Sequence, residues 1–265
     1  MANWYESGFD GMGREDARIA TLSGPSRLWI PPGERREFVF IDDNPACIYE
    51  HNPKLNGNYK NWHTCLKGIA EQGCPTCDEL TEKTRYYAGY FTAIDCSKWK
   101  DKKGNDHQFE LNLLQAKLKT LKKFKRKKDD GIEAGRPGLV GGLYRATRED
   151  EKSPTCGDEF EFLRAADLDK LFELALYRGK KVADMFTKAE ENAQSLEVLK
   201  KIFQVEMDGN GKPVRKLVPF NYMQVLAPKE YKELKQMVSG AQAQQDPRDG
   251  QTSSGGAGAT DEVPF

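Results

Sequence analysis

Cys74-Pro75-Thr76-Cys77 puts two thiols on one tight turn, a spacing that lets both reach a single tetrahedral ion at about 2.3 Å each. Such a pair constrains the fold, because two further ligands must be carried to the same point by other parts of the chain. Cys65 lies nine positions upstream, and His51 and His63 are the candidates for the fourth place. On a strand His63 and Cys65 share a face, where adjacent ligands crowd one ion. A hairpin turning at Asn56-Gly57 instead returns the chain so that His51 and Cys65 lie on neighbouring strands. The favoured set is therefore His51, Cys65, Cys74 and Cys77, with His63 the alternative to His51. Three thiolates and an imidazole leave no open coordination position, so one zinc ion is expected here, serving folding and not catalysis.

The chain carries 6 cysteines in 265 residues. Their crowding points to metal ligation in a reducing compartment, so the protein is expected to be cytoplasmic and to fold without disulfides. Cys47, Cys96 and Cys156 read as small buried residues. No run approaches the roughly 18 apolar residues of a membrane span, and the start has no charged leader followed by an apolar stretch, so no membrane partner is expected.

Residues 1–26 are Gly-rich and read as an N-terminal arm. From Arg27 to about Leu163, short β-rich runs separated by Pro, Gly and Asn-Gly predict a mainly β core, a small barrel or sheet. The runs are Arg27–Ile30, Arg36–Ile41, Ala46–His51, Tyr59–Cys65, Tyr86–Cys96, Leu139–Thr147 and Glu159–Leu163. One helix is expected among them, because Leu111, Leu114, Leu118, Leu121 and Phe124 recur at steps of three and four. Beyond Leu163 the pattern turns helical. Asp167 is placed to cap a helix that Gly179 stops, a second helix spans about Ser195–Phe203, a hairpin turns across Asp208–Gly211, and a third helix runs Lys229–Val238. The core is thus 27–238, with a zinc subdomain at about 47–80 and a helical part at about 164–238. Residues 239–265 are poor in apolar side chains and read as a flexible tether.

Forty-one basic residues balance 41 acidic ones, so any electrostatic role must come from segregation. Lys98 to Lys128 holds 12 Lys/Arg against 3 Asp/Glu, a net of +9, while Glu149 to Asp169 holds 8 acids against 2 bases, a net of −6. Aromatic rings alternate with the cations. Tyr59 and Trp62 enter the metal cluster, Tyr86, Tyr87, Tyr90 and Phe91 leave it, and Trp99 stands among Lys98, Lys100, Lys102 and Lys103. Cationic grooves plus stacking faces are how single-stranded nucleic acid is held. The contacts expected are those residues together with Lys117, Lys122, Lys123, Lys125 and Arg126, with one of the two tyrosine-strand faces going to the core.

These stretches resemble the single-stranded-DNA-binding proteins of tailed bacteriophages: Phe38 to Cys77 with Tyr49-Glu50-His51 and Asn61-Trp62-His63-Thr64-Cys65, Tyr86 to Lys117, and Gly138 to Phe162. The resemblance implies an OB-fold-like β-barrel with an inserted zinc subdomain and C-terminal helices, and a ligand pattern of one histidine followed by three cysteines that maps onto His51, Cys65, Cys74 and Cys77. It implies sequence-independent coating of single strands during replication, recombination and repair, without enzymatic activity, in a bacterial host's cytoplasm. The ending Asp261-Glu262-Val263-Pro264-Phe265 is similar to the tail tip by which bacterial single-stranded-DNA-binding proteins dock replication and repair proteins. One departure is that residues 1–10 hold no Lys or Arg, where the best-known phage members carry a basic segment for cooperative binding. The other readings weighed are a zinc-containing replication adaptor and a nuclease or its accessory protein. The latter would need an open metal site or convergent carboxylates.

Overall fold

A computed structural model describes residues 24–55, 62–80, 84–101 and 104–242. Most of the N-terminal arm, the Asn56-Gly57 turn, Tyr59, Lys102, Lys103 and the tail from residue 243 lie outside the described residues. The chain divides into two compact units. The first is Met1–Ala46, Gly89–Glu149 and Ser153–Val225; the second is Cys47–Ala88, Asp150–Lys152 and Leu226–Phe265.

In chain order the strands are β1 (Arg35–Phe40), β2 (Ala46–His51), β3 (His63–Thr64), β4 (Arg85–Asp95), β5 (Trp99–Lys100), β6 (Asp106–His107), β7 (Glu110–Lys117), β8 (Gly142–Thr147), β9 (Glu159–Ala165), β10 (Leu176–Tyr177) and β11 (Lys180–Lys181). The helices are α1 (Pro75–Leu80), α2 (Leu118–Glu133), α3 (Leu168–Leu174), α4 (Val182–Glu191), α5 (Ala193–Ile202), α6 (Tyr222–Val225) and α7 (Tyr231–Gln242). The protein is mixed α/β. Its main sheet has 9 strands along the path β11-β10-β7-β4-β1-β8-β9, with β2 pairing β3 and β4. The path is open, with β9 and β11 at its ends, so of the expected small barrel or sheet the structure shows the sheet and does not close it into the barrel that the resemblance implies.

In the first unit, β1 explains why the sheet holds together. Phe38 and Phe40 point to one face and join Phe91, Ala93, Leu114, Ala116, Phe124, Tyr144 and Ala146 in the main core. Val39, on the opposite face, is also fully buried. That second face is covered from the helical region: Phe220 donates its N–H to Thr92 Oγ1 at 2.8 Å, and the Tyr222 hydroxyl lies 2.9 Å from the same oxygen.

Two-sided burial also accounts for the helix reading of 111–124. Leu111, Asn112, Leu113 and Leu114 are all buried on β7, so the strand shows no alternation and its leucines fall at helix-like steps by coincidence. The helix begins only at Leu118 and runs on to Glu133. Farther along, Asp167 caps α3 as expected, its side chain accepting from Lys170 N–H at 3.0 Å. Gly179 does not stop that helix, which ends at Leu174. Arg178 and Gly179, with φ of 52° and 74°, form the two-residue turn between β10 and β11. The unanticipated α4 follows, burying Val182, Ala183, Phe186 and Ala189 on one stripe.

A half-buried carboxyl sits where the helical region meets β4. Asp42 accepts from the Tyr222 hydroxyl and from Thr92 N–H, at 3.2 and 3.3 Å to its two oxygens. Burial outweighs these bonds and raises its pKa to about 7. The folded state therefore binds a proton that the unfolded chain releases near pH 4. Stability should be greatest below pH 4 as far as this group is concerned, and should fall as pH rises through 7. An Asp42→Asn variant should lose this component of the pH dependence in thermal melts; a parent and variant with parallel melting profiles between pH 4 and 8 would refute it.

Candidate metal centre and aromatic surface

The second unit brings its ligands together through a short sheet and a helix start. Strands β2 and β3 pair antiparallel with His51 opposite His63 and Glu50 opposite Thr64, and Cys65 N–H donates to Tyr49 carbonyl at 2.8 Å. The chain then turns through Gly68 and Gly73, whose φ values of 83° and 81° a side chain would disfavour. Cys74 immediately precedes α1, Pro75 takes its first position, where a missing N–H costs nothing, and Cys77 follows in the first turn. Helix α7 supplies apolar cover, with Leu234, Tyr231 and Met237 packed against Cys65, Leu66, Cys74 and Cys77.

His51, Cys65, Cys74 and Cys77 are all buried, and their ligand atoms lie within 4.8 Å of one another. Tetrahedral coordination with metal–sulfur bonds near 2.3 Å and metal–nitrogen bonds near 2.05 Å requires edges of about 3.8 Å for S···S and about 3.6 Å for S···N. Cys65 Sγ and Cys77 Sγ are 3.6 Å apart, and His51 Nε2 is 3.6 Å from Cys74 Sγ and 3.4 Å from Cys77 Sγ. The donor set fits one metal ion. His51 Nδ1 lies 2.9 Å from Thr84 Oγ1, a bond that aims Nε2 at the thiols. His63 stays outside the set: its ring stacks on His51 at 5.3 Å between centroids, and its Nε2 lies 2.8 Å from Thr76 Oγ1.

The electrostatics suit a cation. Burial, with the charges of His63 and Arg85, holds His51 down at about 4, so the imidazole is neutral, the ligating form. Burial and the neighbouring Cys65 and Cys74 push Cys77 up to about 12. Against the burial that would raise it, backbone hydrogen bonds around Cys77, Leu66 and Thr76 leave Cys74 below its ordinary value. The Cys77 thiol resists ionising alone; a divalent ion would remove that resistance.

The same unit exposes aromatic rings. Tyr49 is 48% exposed, with the Arg85 guanidinium 3.9 Å from its ring centroid and the Tyr87 ring edge-on at 5.3 Å. Trp62 is 37% exposed, and Tyr86 and Tyr87 are half-buried. Cys47, expected to be buried, is exposed and hydrogen-bonded with the Tyr87 hydroxyl. Tyr49 and Arg85 were not singled out as binding residues; the exposed–covered alternation of Cys47, Ile48 and Tyr49 on β2 is the signal that carries Tyr49 to the surface.

In the first unit the rings are largely spent on structure. Tyr90 and Phe91 are both buried, so neither face of this part of β4 offers a ring, contrary to the expectation that only one pair would enter the core. Trp99 is half-buried, stacked on His107 at 4.3 Å and 4.9 Å from the Arg36 guanidinium, which gives it the packing partners a lysine-rich loop was expected to lack. Trp29, not anticipated, is 56% exposed with Arg148 6.0 Å from its ring. Lys98, Lys100, Lys117, Lys122, Lys123, Lys125 and Arg126 are exposed; Lys100 pairs with Asp106 at 3.5 Å and Lys125 with Asp129 at 2.7 Å. Among the described residues no helix is long and apolar enough to cross a membrane. No family model and no curated protein matches the chain.

Proposed function

We propose that the chain is a non-enzymatic, sequence-tolerant single-stranded-DNA-binding protein of the kind found in tailed bacteriophages. It would act on strands exposed during replication, recombination and repair in a bacterial host's cytoplasm. The observation that carries the reading is the exposed Tyr49 ring of the second unit, with the Arg85 guanidinium over it and the Tyr87 ring edge-on, in a unit that also exposes Trp62. Bases stack on such faces at about 1–3 kcal/mol each without regard to sequence. Exposed Lys98, Lys100, Lys117 and Lys125 of the first unit supply phosphate contacts.

The strand order lends support. β1 pairs with β4 and β8, β4 neighbours β7, β8 pairs with β9, and α2 stands between β7 and β8. This order is compatible with an OB-fold reading, a five-stranded Greek-key barrel that is commonly part open. The metal is zinc in this reading, since three thiolates and an imidazole favour it, and four protein donors give it a structural role. The tip Asp261, Glu262, Val263, Pro264 and Phe265 recruits replication and repair proteins.

Titration of Trp fluorescence with oligo-thymidine should show affinity that falls with salt at roughly 0.7 per phosphate contacted, and far weaker binding of duplex. Tyr49→Ala, with metal content unchanged, should weaken single-strand binding by about 5- to 150-fold, the loss of one stacked base. Equal affinity for duplex, or none for either form, would overturn the proposal.

A further inference from the structure

Helix α2 presents a cationic stripe that has no aromatic component. Lys119, Lys122, Lys123 and Arg126 are all exposed, and their steps of three and four place them on one face. Lys119, Lys122 and Arg126 make no hydrogen bond or ion pair among the described residues, while Lys123 reaches the Asp158 carbonyl. Lys127, half-buried, and Arg35 continue the positive edge around a cavity of about 570 Å³. Four carboxylates also line that cavity beside Lys123 and Arg126, among them Glu161, which Arg145 engages at 3.4 Å; Lys119 and Lys122 carry the stripe's charge outside the cavity. The one aromatic residue of α2, Phe124, is 1% exposed and packs in the core.

We infer that this stripe is a backbone-only nucleic-acid contact that takes duplex DNA. The inference rests on the nucleic-acid reading and goes beyond it. From Lys119 to Arg126 the helix rises about 10 Å. Phosphates on one strand of a duplex follow at about 3.4 Å along its axis, so the stripe matches about three of them. A surface without stacking rings gains nothing from unpaired bases and reads phosphate alone, which duplex presents at twice the density of one strand. The stripe would then give the first unit a duplex contact of its own.

The test compares a 20-mer duplex with oligo-thymidine on the full chain and on the triple variant Lys119→Ala, Lys122→Ala, Arg126→Ala. Alanine favours helix and these side chains hold nothing else in place, so the variant should melt as the parent does. At low salt the parent should bind duplex measurably. The variant should lose tenfold or more of that affinity, its duplex salt slope should drop by about 3, and its single-strand affinity should change much less. Unchanged duplex binding overturns the inference, as does an equal loss for both forms, which would make the stripe part of the single-strand site. A parent that binds single strands but no duplex sinks this inference and spares the proposed function; a parent that binds neither sinks both.

Discussion

On the proposed structural role of the metal, Cys77→Ser should lower the melting temperature by more than about 10 °C, because losing one of four donors would forfeit several kcal/mol of folding free energy. Cys77 sits 3.6 Å from Cys65 and 3.4 Å from His51 Nε2, so it touches two other members of the set. A strong chelator applied to the parent should reproduce the drop, and metal content per chain should fall from one to near zero in both cases. Cys47→Ser serves as control: that thiol is exposed and outside the set, and its variant should keep both metal and melting temperature. A Cys77→Ser protein that melts with the parent would remove the structural role of the metal.

Phe40→Ala should destabilise the first unit by about 3–5 kcal/mol. The ring is fully buried and meets Phe38 at 5.2 Å, Phe91 at 5.3 Å, Phe124 at 5.2 Å and Tyr144 at 5.5 Å, all edge-to-face. Its removal opens a cavity at the point where β1, β4, α2 and β8 meet. Those strands cannot close on it without abandoning the ladder that pairs Phe40 with Ala93. Phe40→Leu should recover most of the loss, because volume is largely kept. Chemical denaturation showing a cost below about 1 kcal/mol for the alanine variant would mean that the core is organised around some other residue.

Much of the metal site could be read from spacing. The two-residue gap between Cys74 and Cys77 is a local signal, and the return of the chain that pairs His51 with His63 follows from a short loop between two β-rich runs. The hairpin reading already favours His51 over His63; what spacing does not supply is that Thr76 and Thr84 each hold one imidazole in place. Strand β1 was legible from its aromatic and β-branched run Phe38-Val39-Phe40, although both of its faces are buried. Strand β7 was not, because burial on both sides erases the period of two and its run is built of leucine, which fits a helix as well. The stacking surface was the least legible part. Tyr90 and Tyr49 are the same residue type on strands of similar composition, and only the elements packed over β4 put one inside, while β2 leaves the other out.

The apolar lid that α7 places over the thiols comes from residues 231–242, more than 150 positions after Cys77. A chain is synthesised from its amino end at about 5–20 residues per second, so Cys65, Cys74 and Cys77 emerge on the order of ten seconds before Leu234 and Met237 can cover them. During that interval the three thiols are open to oxidants and to whichever thiophilic ion arrives first. An ion taken up in that interval would be chosen by supply and timing, before the finished cluster has its final selectivity.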